Sequence, residues 1–320
     1  MPRLSAREVA RICDGMVTGD PGAECGGFGA DTRSLPADSA FVAIRSGHAH
    51  VPEAFAAGAP FALVERADCL PAGASAVVVG DVTAALGLLA AHVRSGLGAR
   101  VVGITGSVGK TLTKDFIAAA LSSGMKVHAS PRNFNNDWGM PLTVLSCPDD
   151  AQALVVELGA RGPGEIARLC RIVRPHVGVI TGIGTSHIEF FGSREGIARS
   201  KSELLACLPA AGLAVVSASD DFLDVLAEST SARVATVGPG GHVGAERVDL
   251  DESGHAVAIL RAGPGVKVQV RLPLPGRPLV RNAAMAVRVA MELGVGAEEA
   301  AAGIAGAKPT GWRMETTQFG

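Results

Sequence analysis

The segment Gly106-Ser107-Val108-Gly109-Lys110-Thr111 has the residue types of a phosphate-binding loop. It lies between an apolar run at 101–104 and a helical pattern over 110–121, so a strand precedes the predicted loop and a helix follows it. In such a loop, glycines let backbone N–H groups turn toward phosphate oxygens, and the helix N-terminus adds its positive end. A lysine here contacts the β- and γ-phosphates, and the next hydroxyl binds Mg²⁺. The predicted triphosphate-binding residues are Gly106, Ser107, Gly109, Lys110 and Thr111.

The glycine spacing around this loop leaves other interpretations to weigh. Gly103 and Gly109 are one residue too far apart for G-x-x-x-x-G-K-T, and Gly106 instead gives the variant T-G-x-x-G-K-T. The same glycines resemble the dinucleotide fingerprint of a reductase, but the chain has no tyrosine for a Tyr-x-x-x-Lys acid. In addition, no acidic residue ends the second strand at 128–130. The N-K-x-D motif of a regulatory GTPase is absent from the sequence. A glycine-rich turn beside a solvated lysine would not need the flanking strand and helix.

Three more side chains occupy positions typical of a nucleotide site. Glu157 ends a buried apolar strand, where a carboxylate suits Mg²⁺, although a structural carboxylate would have the same pattern. His187 lies in a Gly/Thr/Ser loop after another strand, at the sheet edge where ligands bind, although a loop histidine is more often an ordinary polar residue. Lys201 lies on a helical pattern with other charges, which by itself indicates a solvated face. The residues alone leave these alternatives open.

Alternating strands and helices must position these side chains. From residue 100 onward the predicted strands are 101–104, 125–128, 153–158, 177–180, 213–217 and 233–237, and the predicted helices are 110–121, 164–173 and 194–208. Continuous apolar strands alternating with amphipathic helices are typical of a parallel sheet covered on both faces. A hairpin at 255–260 and 266–272 follows, and then helices at 282–293 and 297–306.

The N-terminal part has a different pattern. Its predicted helices are 5–14, 51–57 and 81–97, its strands are 41–44, 61–64 and 76–79, and a glycine-rich turn covers 15–29. The sequence therefore predicts an α/β fold with a small N-terminal α/β domain and a P-loop-type parallel-sheet ATPase domain. The predicted ranges are 1–84 for the first domain, 85–308 for the second and 309–320 for the stub of another.

Composition limits the classes of function. The 29 Lys and Arg residues almost balance the 31 Asp and Glu residues, which argues against a nucleic-acid-binding protein. The six cysteines are scattered without a C-x-x-C pair, as expected of reduced thiols in a cytosolic protein. No signal-like N-terminal stretch and no apolar run of membrane-spanning length occurs in the sequence, so we expect a cytoplasmic protein without membrane insertion.

Several sequence blocks together resemble the Mur ligase family. They are the phosphate loop, N-F-N-N-D-W-G-M-P-L-T at 133–143, E-L-G-A at 157–160, R-P at 174–175, and 184–204 with H-I-E-F-F-G-S and I-A-R-S-K. Asp31-Thr32-Arg33, followed by Phe41–Ile44, resembles the family's uridine-binding domain. The resemblance runs in order along nearly the whole chain. The blocks are most similar to the branch that adds D-alanyl-D-alanine to UDP-N-acetylmuramoyl-tripeptide.

The resemblance implies an ATP-dependent, ADP-forming acid–amino-acid ligase of peptidoglycan precursor synthesis. ATP phosphorylates the terminal carboxylate of the UDP-linked peptide, and the amine of the dipeptide attacks the acyl phosphate to form an amide and release phosphate. Two Mg²⁺ ions neutralise the developing charge. In the family the lysine that matches Lys201 is carbamylated by carbon dioxide, which turns a cation into a carboxylate ligand.

The resemblance also implies roles for particular residues. The implied catalytic residues are Lys110, His187 and Lys201, and the implied Mg²⁺ ligands are Thr111, Glu157, His187 and Lys201. Asn282 and Arg313 would join the loop in binding the nucleotide. The implied substrate-binding residues are Asp31, Thr32, Arg33, Asn135, Asn136, Thr185 and Ser186. The partners are small molecules, namely the UDP-linked peptide and the dipeptide amine.

The chain departs from the family pattern at several positions. Val108 replaces an asparagine of the loop, Pro278 and Leu279 replace a His-Asn pair on the adenine side, and 48–52 replaces an Asp-Gly-His turn. The sequence ends at Gly320, where the third domain of the family begins, so we expect inactivity alone or a separate chain that supplies this domain. The alternative functions are a diverged amide ligase of specialised metabolism and a truncated, non-catalytic nucleotide-binding module.

Overall fold

The computed structural model describes residues 3–132 and 134–308, and these form two compact units. The first unit contains the described residues up to Gly98 together with Asn136–Asp149, and the second contains Ala99–Asn135 and the described residues from Asp150 onward. The predicted functional ranges 1–84 and 85–308 stay a prediction. The compact units differ from these ranges because one long helix and the segment 136–149 both belong to the first unit.

The first unit has short strands and helices. Its strands are β1 (Leu4–Ser5), β2 (Met16–Thr18), β3 (Glu24–Cys25), β4 (Gly27–Gly29), β5 (Ser39–Val42), β6 (Ala62–Val64) and β7 (Ala76–Val78), and its helices are α1 (Ala6–Cys13), α2 (Val51–Ala56), α3 (Val82–Gly96) and α5 (Gly139–Leu145). The five-stranded sheet has the order β2-β7-β6-β5-β4, in which only the β2–β7 pair is antiparallel. Strands β1 and β3 form a separate antiparallel pair.

Local sequence signals start the helices of this unit. The Ser5 hydroxyl accepts a hydrogen bond from the Glu8 N–H, and the Glu8 carboxylate accepts one from the Ser5 N–H, which makes a capping box. The Asp81 carboxylate accepts bonds from the first N–H groups of α3. Helix α5 packs on α3, and the Arg45 guanidinium lies 3.9 Å from the centroid of the Trp138 ring just before α5.

The second unit contains the predicted parallel sheet. Its strands are β8 (Arg100–Thr105), β9 (Val127–Ala129), β10 (Ala153–Glu157), β11 (Val177–Ile180), β12 (Leu213–Ser217), β13 (Arg233–Val237), β14 (Gly244–Leu250), β15 (His255–Gly263) and β16 (Val266–Pro275), and its helices are α4 (Lys110–Ser122), α6 (Glu165–Val173), α7 (Ile188–Phe191), α8 (Arg194–Ala206), α9 (Leu223–Glu228), α10 (Leu279–Glu292) and α11 (Ala297–Ala305). Strands β8 to β13 are all parallel, in the order β13-β12-β11-β8-β10-β9. Strands β14-β15-β16 form an antiparallel sheet.

Helices cover both faces of the parallel sheet, as predicted. Val102 and Ile104 of β8 lie in one buried cluster with Phe116 of α4 and the apolar residues of α10 and α11. Gly103 points the other way, and a Cβ on it would lie 3.0 Å from Leu204 of α8. This alternation explains why β8 is apolar at every interior position. The α/β fold class is therefore confirmed.

Several elements differ from the sequence-based prediction. The range 15–29 contains β2, β3 and β4 rather than a glycine-rich turn, because these very short strands carry no apolar alternation that a pattern would detect. The predicted hairpin is present but gains β14, whose residues are mostly exposed. Helices α5, α7 and α9 were not predicted, since each has seven residues or fewer. No helix in the described ranges is both long and apolar enough to cross a membrane.

Candidate functional site

The phosphate loop lies at the carboxyl edge of the parallel sheet. Strand β8 pairs with β10 on one side and β11 on the other, so the segments after these three strands meet at one edge. The chain leaves β8 toward one half of the sheet and leaves β10 toward the other half. Ligands of open parallel sheets bind in the crevice at such a reversal of strand order. The topology therefore brings the loop, Glu157 and the segment before His187 to one edge.

Two glycines of the loop have backbone conformations that a side chain would disturb. Gly106 has φ +145°, and a Cβ on it would lie 2.0 Å from the Thr181 hydroxyl. Gly109 has φ +86°, and its Cβ would lie 2.9 Å from the Asn282 amide nitrogen. The loop can therefore approach the neighbouring segments closely only because both positions are glycine.

Hydrogen bonds join the loop to the segment that follows β11. The Ser107 N–H donates to the Gly182 carbonyl (2.9 Å), and the Ser107 hydroxyl accepts from the Gly184 N–H (2.8 Å). The Thr181 hydroxyl donates to the Val108 carbonyl (2.6 Å), and the Ser186 hydroxyl donates to the Ser107 carbonyl (3.3 Å). Ser186, a predicted substrate residue, thus supports the loop, and Thr181 is a loop contact that the sequence analysis missed.

Lys110 begins helix α4 and turns back over the loop. Its ammonium donates to the carbonyl oxygens of Gly106 (2.9 Å) and Ser107 (3.4 Å). A loop of turned amides with an ammonium above it can bind an anion such as a phosphate group. The roles of Lys110 and the loop in binding a nucleotide stay a prediction.

Thr111 and Glu157 form a buried pair beside the loop. The Thr111 hydroxyl donates to Glu157 Oε2 (2.8 Å), while the Asn135 amide donates to Oε1 (2.9 Å). Only 4% of Thr111 and 1% of Glu157 is exposed. A hydroxyl and a carboxylate oxygen at this separation are the hard ligands that Mg²⁺ prefers, so the residues fit a magnesium ion here. Three of the predicted site residues therefore meet.

Lys201 is buried, contrary to the solvated face that its helical pattern alone would indicate. Only 4% of the residue is exposed, and its ammonium lies 6.0 Å from the centroid of the Phe191 ring. Burial, and then the positive charge of Lys110, lower the pKa of Lys201 from 10.5 to about 8. An amine that is partly neutral near physiological pH can act as a nucleophile toward carbon dioxide.

His187 is exposed at the start of α7. It has a left-handed backbone (φ +61°), and its ring centroid lies 6.4 Å from that of Phe190. Within residues 3–132 and 134–308, no three His, Cys, Asp or Glu side chains gather as a metal site. A second Mg²⁺ site with His187 as a ligand therefore stays a prediction. Thr185, predicted to bind substrate, is exposed in the same segment.

The side chains of Asn282 and Asn136 both form hydrogen bonds within the protein. The Asn282 amide lies in the first turn of α10 and donates to the Thr113 hydroxyl (2.8 Å) and the Gly109 carbonyl (3.4 Å), so it supports the end of the loop. The Asn136 side chain belongs to the first unit, where it accepts bonds from the N–H groups of Trp138 and Gly139 and thereby begins α5. Arg313 lies outside the described residues.

A cavity of about 220 Å³ adjoins the loop. Its lining combines loop residues with charged side chains of the second unit, chiefly Ser107, Val108, Arg194, Asp220, Asp221 and Arg281. Asp220 accepts the Ile183 N–H (2.9 Å), and Arg194 donates to Asp221 (2.7 Å). No sequence pattern predicted these residues, although Asp220 comes just after strand β12.

The predicted uridine residues lie on the surface of the first unit. The Asp31 carboxylate accepts hydrogen bonds from the Arg33 N–H (3.1 Å) and from its guanidinium (2.9 and 2.7 Å). These bonds lower the pKa of Asp31 to about 2. The Arg33 side chain is 87% exposed, and Thr32 is half-buried. Their role in binding stays a prediction.

The residues that form this site lie in a region that is similar to known proteins. A family model described as the Mur ligase middle domain matches residues 104–290. The UDP-N-acetylmuramoyl-tripeptide--D-alanyl-D-alanine ligase of Bacillus subtilis (strain 168) is 36% identical over 294 residues, which cover 90% of this chain and 63% of that protein. The sequence blocks indicated the same family and the same branch. This chain therefore spans less than two thirds of the length of that relative.

Solved structures show the same likeness. MurF from Acinetobacter baumannii superposes with a TM-score of 0.90 at 33% identity, covering 100% of this chain and 71% of that chain. The MurF ligase from Thermotoga maritima in complex with ADP gives a TM-score of 0.75 at 27% identity, covering 88% of this chain and 66% of that chain.

Proposed function

The chain belongs to the Mur ligase family, and we propose from this premise that it serves ATP-dependent joining of D-alanyl-D-alanine to UDP-N-acetylmuramoyl-tripeptide. The reaction would proceed in the cytoplasm as a step of peptidoglycan synthesis. The observation that carries the proposal is the Thr111–Glu157 pair, buried directly beside a loop built for phosphate. The relative crystallised with ADP supports a nucleotide at this loop.

The residues of the loop would bind the triphosphate. The backbone amides of 106–109 and the first turn of α4 would face the phosphate oxygens, and Lys110 would exchange its carbonyl partners for the β- and γ-phosphates. This exchange makes the ammonium available without a rotation of the helix, since it already lies over the loop. The loop would thus align the γ-phosphate with the carboxylate of the UDP-linked peptide.

Thr111 and Glu157 would hold Mg²⁺, with Asn135 keeping the carboxylate in place. When bound, Mg²⁺ supplies neutralisation of the negative charge that develops during phosphoryl transfer. The terminal carboxylate of the UDP-linked peptide would become an acyl phosphate. The dipeptide amine would then attack the acyl phosphate, with release of phosphate. Asp31, Thr32 and Arg33 are proposed to bind the uridine part of the substrate.

Carbamylation of Lys201 fits its buried position. With a pKa of about 8, roughly a tenth of the Lys201 amine is neutral at pH 7, against well under a thousandth for an ordinary lysine. The carbamate would add a carboxylate next to the ammonium of Lys110 and would thereby remove the repulsion between the two cations. A ¹³C carbamate resonance after treatment with labelled bicarbonate, present in the native protein and absent in Lys201→Met, is the expected result.

The test of the proposed function combines the two substrates with Mg²⁺ and ATP. With the third domain of the family supplied, we expect ADP, phosphate and the UDP-linked pentapeptide to form together, and we expect Glu157→Gln to abolish them. Glu228→Gln, which changes an exposed glutamate, is the matched control. ADP formation with other carboxylic acids alone would favour the diverged amide ligase. Nucleotide binding that does not respond to Lys110→Ala would contradict the proposal and leave the non-catalytic module.

A further inference from the structure

Lys114 is a fully buried cation whose role the proposed reaction does not require directly. It lies one turn after Lys110 and Thr111 on α4, and its side chain is only 2% exposed. Its ammonium donates to the carbonyl oxygens of Ser130 (2.8 Å) and Arg132 (2.9 Å) and lies 3.1 Å from the Asp115 carboxylate. Burial of a charge is costly unless it is paired and hydrogen-bonded, and these three partners supply the compensation.

The carbonyl partners of Lys114 lie in the segment formed by residues 130–132 and 134–135, which carries Asn135, the partner of the proposed metal-binding carboxylate of Glu157. The segment follows β9, and the Ser130 N–H donates to the Val155 carbonyl (2.9 Å) of the neighbouring strand β10. At its other end, the Asn135 amide donates to Glu157 Oε1, while the Asn135 carbonyl accepts the Gly159 N–H (2.7 Å). The segment is therefore fixed by the Lys114 ammonium at its start and bound to Glu157 at its end.

We propose that Lys114 is a positioning residue for the magnesium site: its ammonium holds the carbonyl groups of Ser130 and Arg132 in place so that Asn135 turns Glu157 toward Thr111. This inference rests on the proposed function, because it assigns Lys114 to the same site. The ammonium adds bonds to two carbonyl groups of a segment that makes an irregular turn, with Arg132 at φ +48°.

The contacts that run from Lys114 through Asn135 to Glu157 predict how a change at Lys114 affects metal affinity. Helix α4 carries both Thr111, a proposed ligand, and Lys114. The Lys114 ammonium holds the segment that contains Asn135, and Asn135 bonds to Glu157, the other proposed ligand. Displacement of that segment would leave Glu157 Oε1 without its amide donor, and the carboxylate would lose its fixed orientation. Metal affinity depends on such outer contacts by about 10–100-fold. The affinity for nucleotide without metal depends on the loop amides and Lys110, whereas the Lys114 ammonium bonds to Ser130 and Arg132.

The experiment measures binding of a non-hydrolysable ATP analogue to the full chain by calorimetry, over a range of Mg²⁺ concentrations and in EDTA. For Lys114→Met, we expect the Mg²⁺ concentration at half-saturation to rise by about tenfold. We expect the affinity in EDTA to change by less than about twofold, since the loop is intact. Hydrogen exchange of the amides of Ser130, Arg132 and Asn135 should become faster. Lys126→Met, at an exposed lysine paired with Asp150, is the matched control and should change none of these values.

A lysine that merely stabilises the fold would lower the melting temperature of Lys114→Met and leave the Mg²⁺ dependence unchanged, and that result would overturn the inference. If Lys114→Met does not fold, Lys114→Gln keeps N–H donors and should give a smaller rise in the same direction. Asn135→Ala should reproduce the Mg²⁺ effect, and the double variant should be no worse than Asn135→Ala alone. Additive effects would contradict action through Asn135.

Failure of the inference and failure of the proposed function are distinguishable. A native chain that binds the analogue without any dependence on Mg²⁺ contradicts the proposed metal site itself. A native chain with a clear Mg²⁺ dependence that Lys114→Met and Lys114→Gln both retain contradicts only the role of Lys114.

Discussion

The nucleotide loop and the Asp31-Thr32-Arg33 segment, each in its own compact unit, are organised in opposite ways. Around the loop, polar groups are buried and bonded to residues far away in sequence, as Thr111 is to Glu157 and Lys114 is to Ser130. In the segment, Asp31 bonds to Arg33 only two residues away, and both are exposed. The first site is therefore part of the core of its unit, while the second is a local turn on a surface.

This difference predicts how the two regions respond to mutation. A change in the loop should alter both stability and binding, because the same hydrogen bonds serve both. A change in the segment should alter binding alone, because surface pairs contribute about 0–1 kcal/mol to stability. Four predictions test this contrast, from the largest expected effect to the smallest.

Gly106→Ala should destabilise the second unit most. The new methyl group would meet the Thr181 hydroxyl at 2.0 Å and the backbone has φ +145°, so strain and overpacking together should cost about 4 kcal/mol. Urea denaturation measures this loss. Gly164→Ala, at φ +81° with open space around it, is the control for backbone strain alone and should cost about 1 kcal/mol. Equal losses in the two variants would show that the close approach at Gly106 does not matter.

Lys110→Ala should weaken ATP binding by about 100-fold, since a charge-assisted contact with phosphate contributes about 1.5–3 kcal/mol. Calorimetric titration with Mg²⁺ and ATP provides the measurement. Lys126→Ala is the comparison, because that lysine is exposed and paired only with Asp150 in the contacts described above. An affinity within threefold of the native value would contradict the assignment of the loop to the ATP-binding site.

Lys201 should make the stability of the unmodified protein rise with pH. Its pKa is about 8 in the folded chain and 10.5 when exposed, so between these values the unfolded chain binds the extra proton and alkali favours the folded state. Relative to Lys201→Met, the gain should be absent below pH 8, reach about 2 kcal/mol by about pH 9.5 and level off above pH 10.5. Denaturation of both proteins at several pH values in bicarbonate-free buffer measures it. A parallel pH dependence of the two would contradict the burial of a titrating amine.

Asp31→Asn should have the smallest effect and only on binding. We expect uridine diphosphate to bind about tenfold more weakly, the loss expected from removing one charged hydrogen-bond acceptor. The free energy of unfolding should change by less than about 0.5 kcal/mol. Asp68→Asn, another exposed aspartate of this unit that pairs with an arginine two residues away, serves as control. A large loss of stability in Asp31→Asn would contradict the expectation that the surface segment, unlike the loop, affects binding alone.

The sequence predicts the parts of the site that follow local rules. Lys110 and Thr111 are recognisable because they begin a helix after glycines, and Glu157 because it ends an apolar strand. The parallel sheet then explains why they meet, since adjacent strands end at one edge. The strands of this sheet are mostly apolar, which also explains why their ranges agree closely with the structure.

The missed features depend on contacts between distant residues. Lys114 and Lys201 look like solvated lysines on helices, and only the folded chain shows that they are buried. Thr181 supports the loop from a position that shares no motif with it. Strand β14 is largely exposed and the helix α5 is short, so neither produces a clear apolar period.

The membership of residues 136–149 in the first unit has a consequence for synthesis of the protein. During translation, β8, α4 and β9 leave the ribosome before α5, although α5 completes the core around α3. The first unit therefore cannot finish folding until part of the second has emerged. In the interval the face of α3 that α5 will cover is exposed, and such a surface is prone to aggregation. A fragment cut at residue 98 would lack this helix permanently, whereas one that ends beyond residue 149 would contain it.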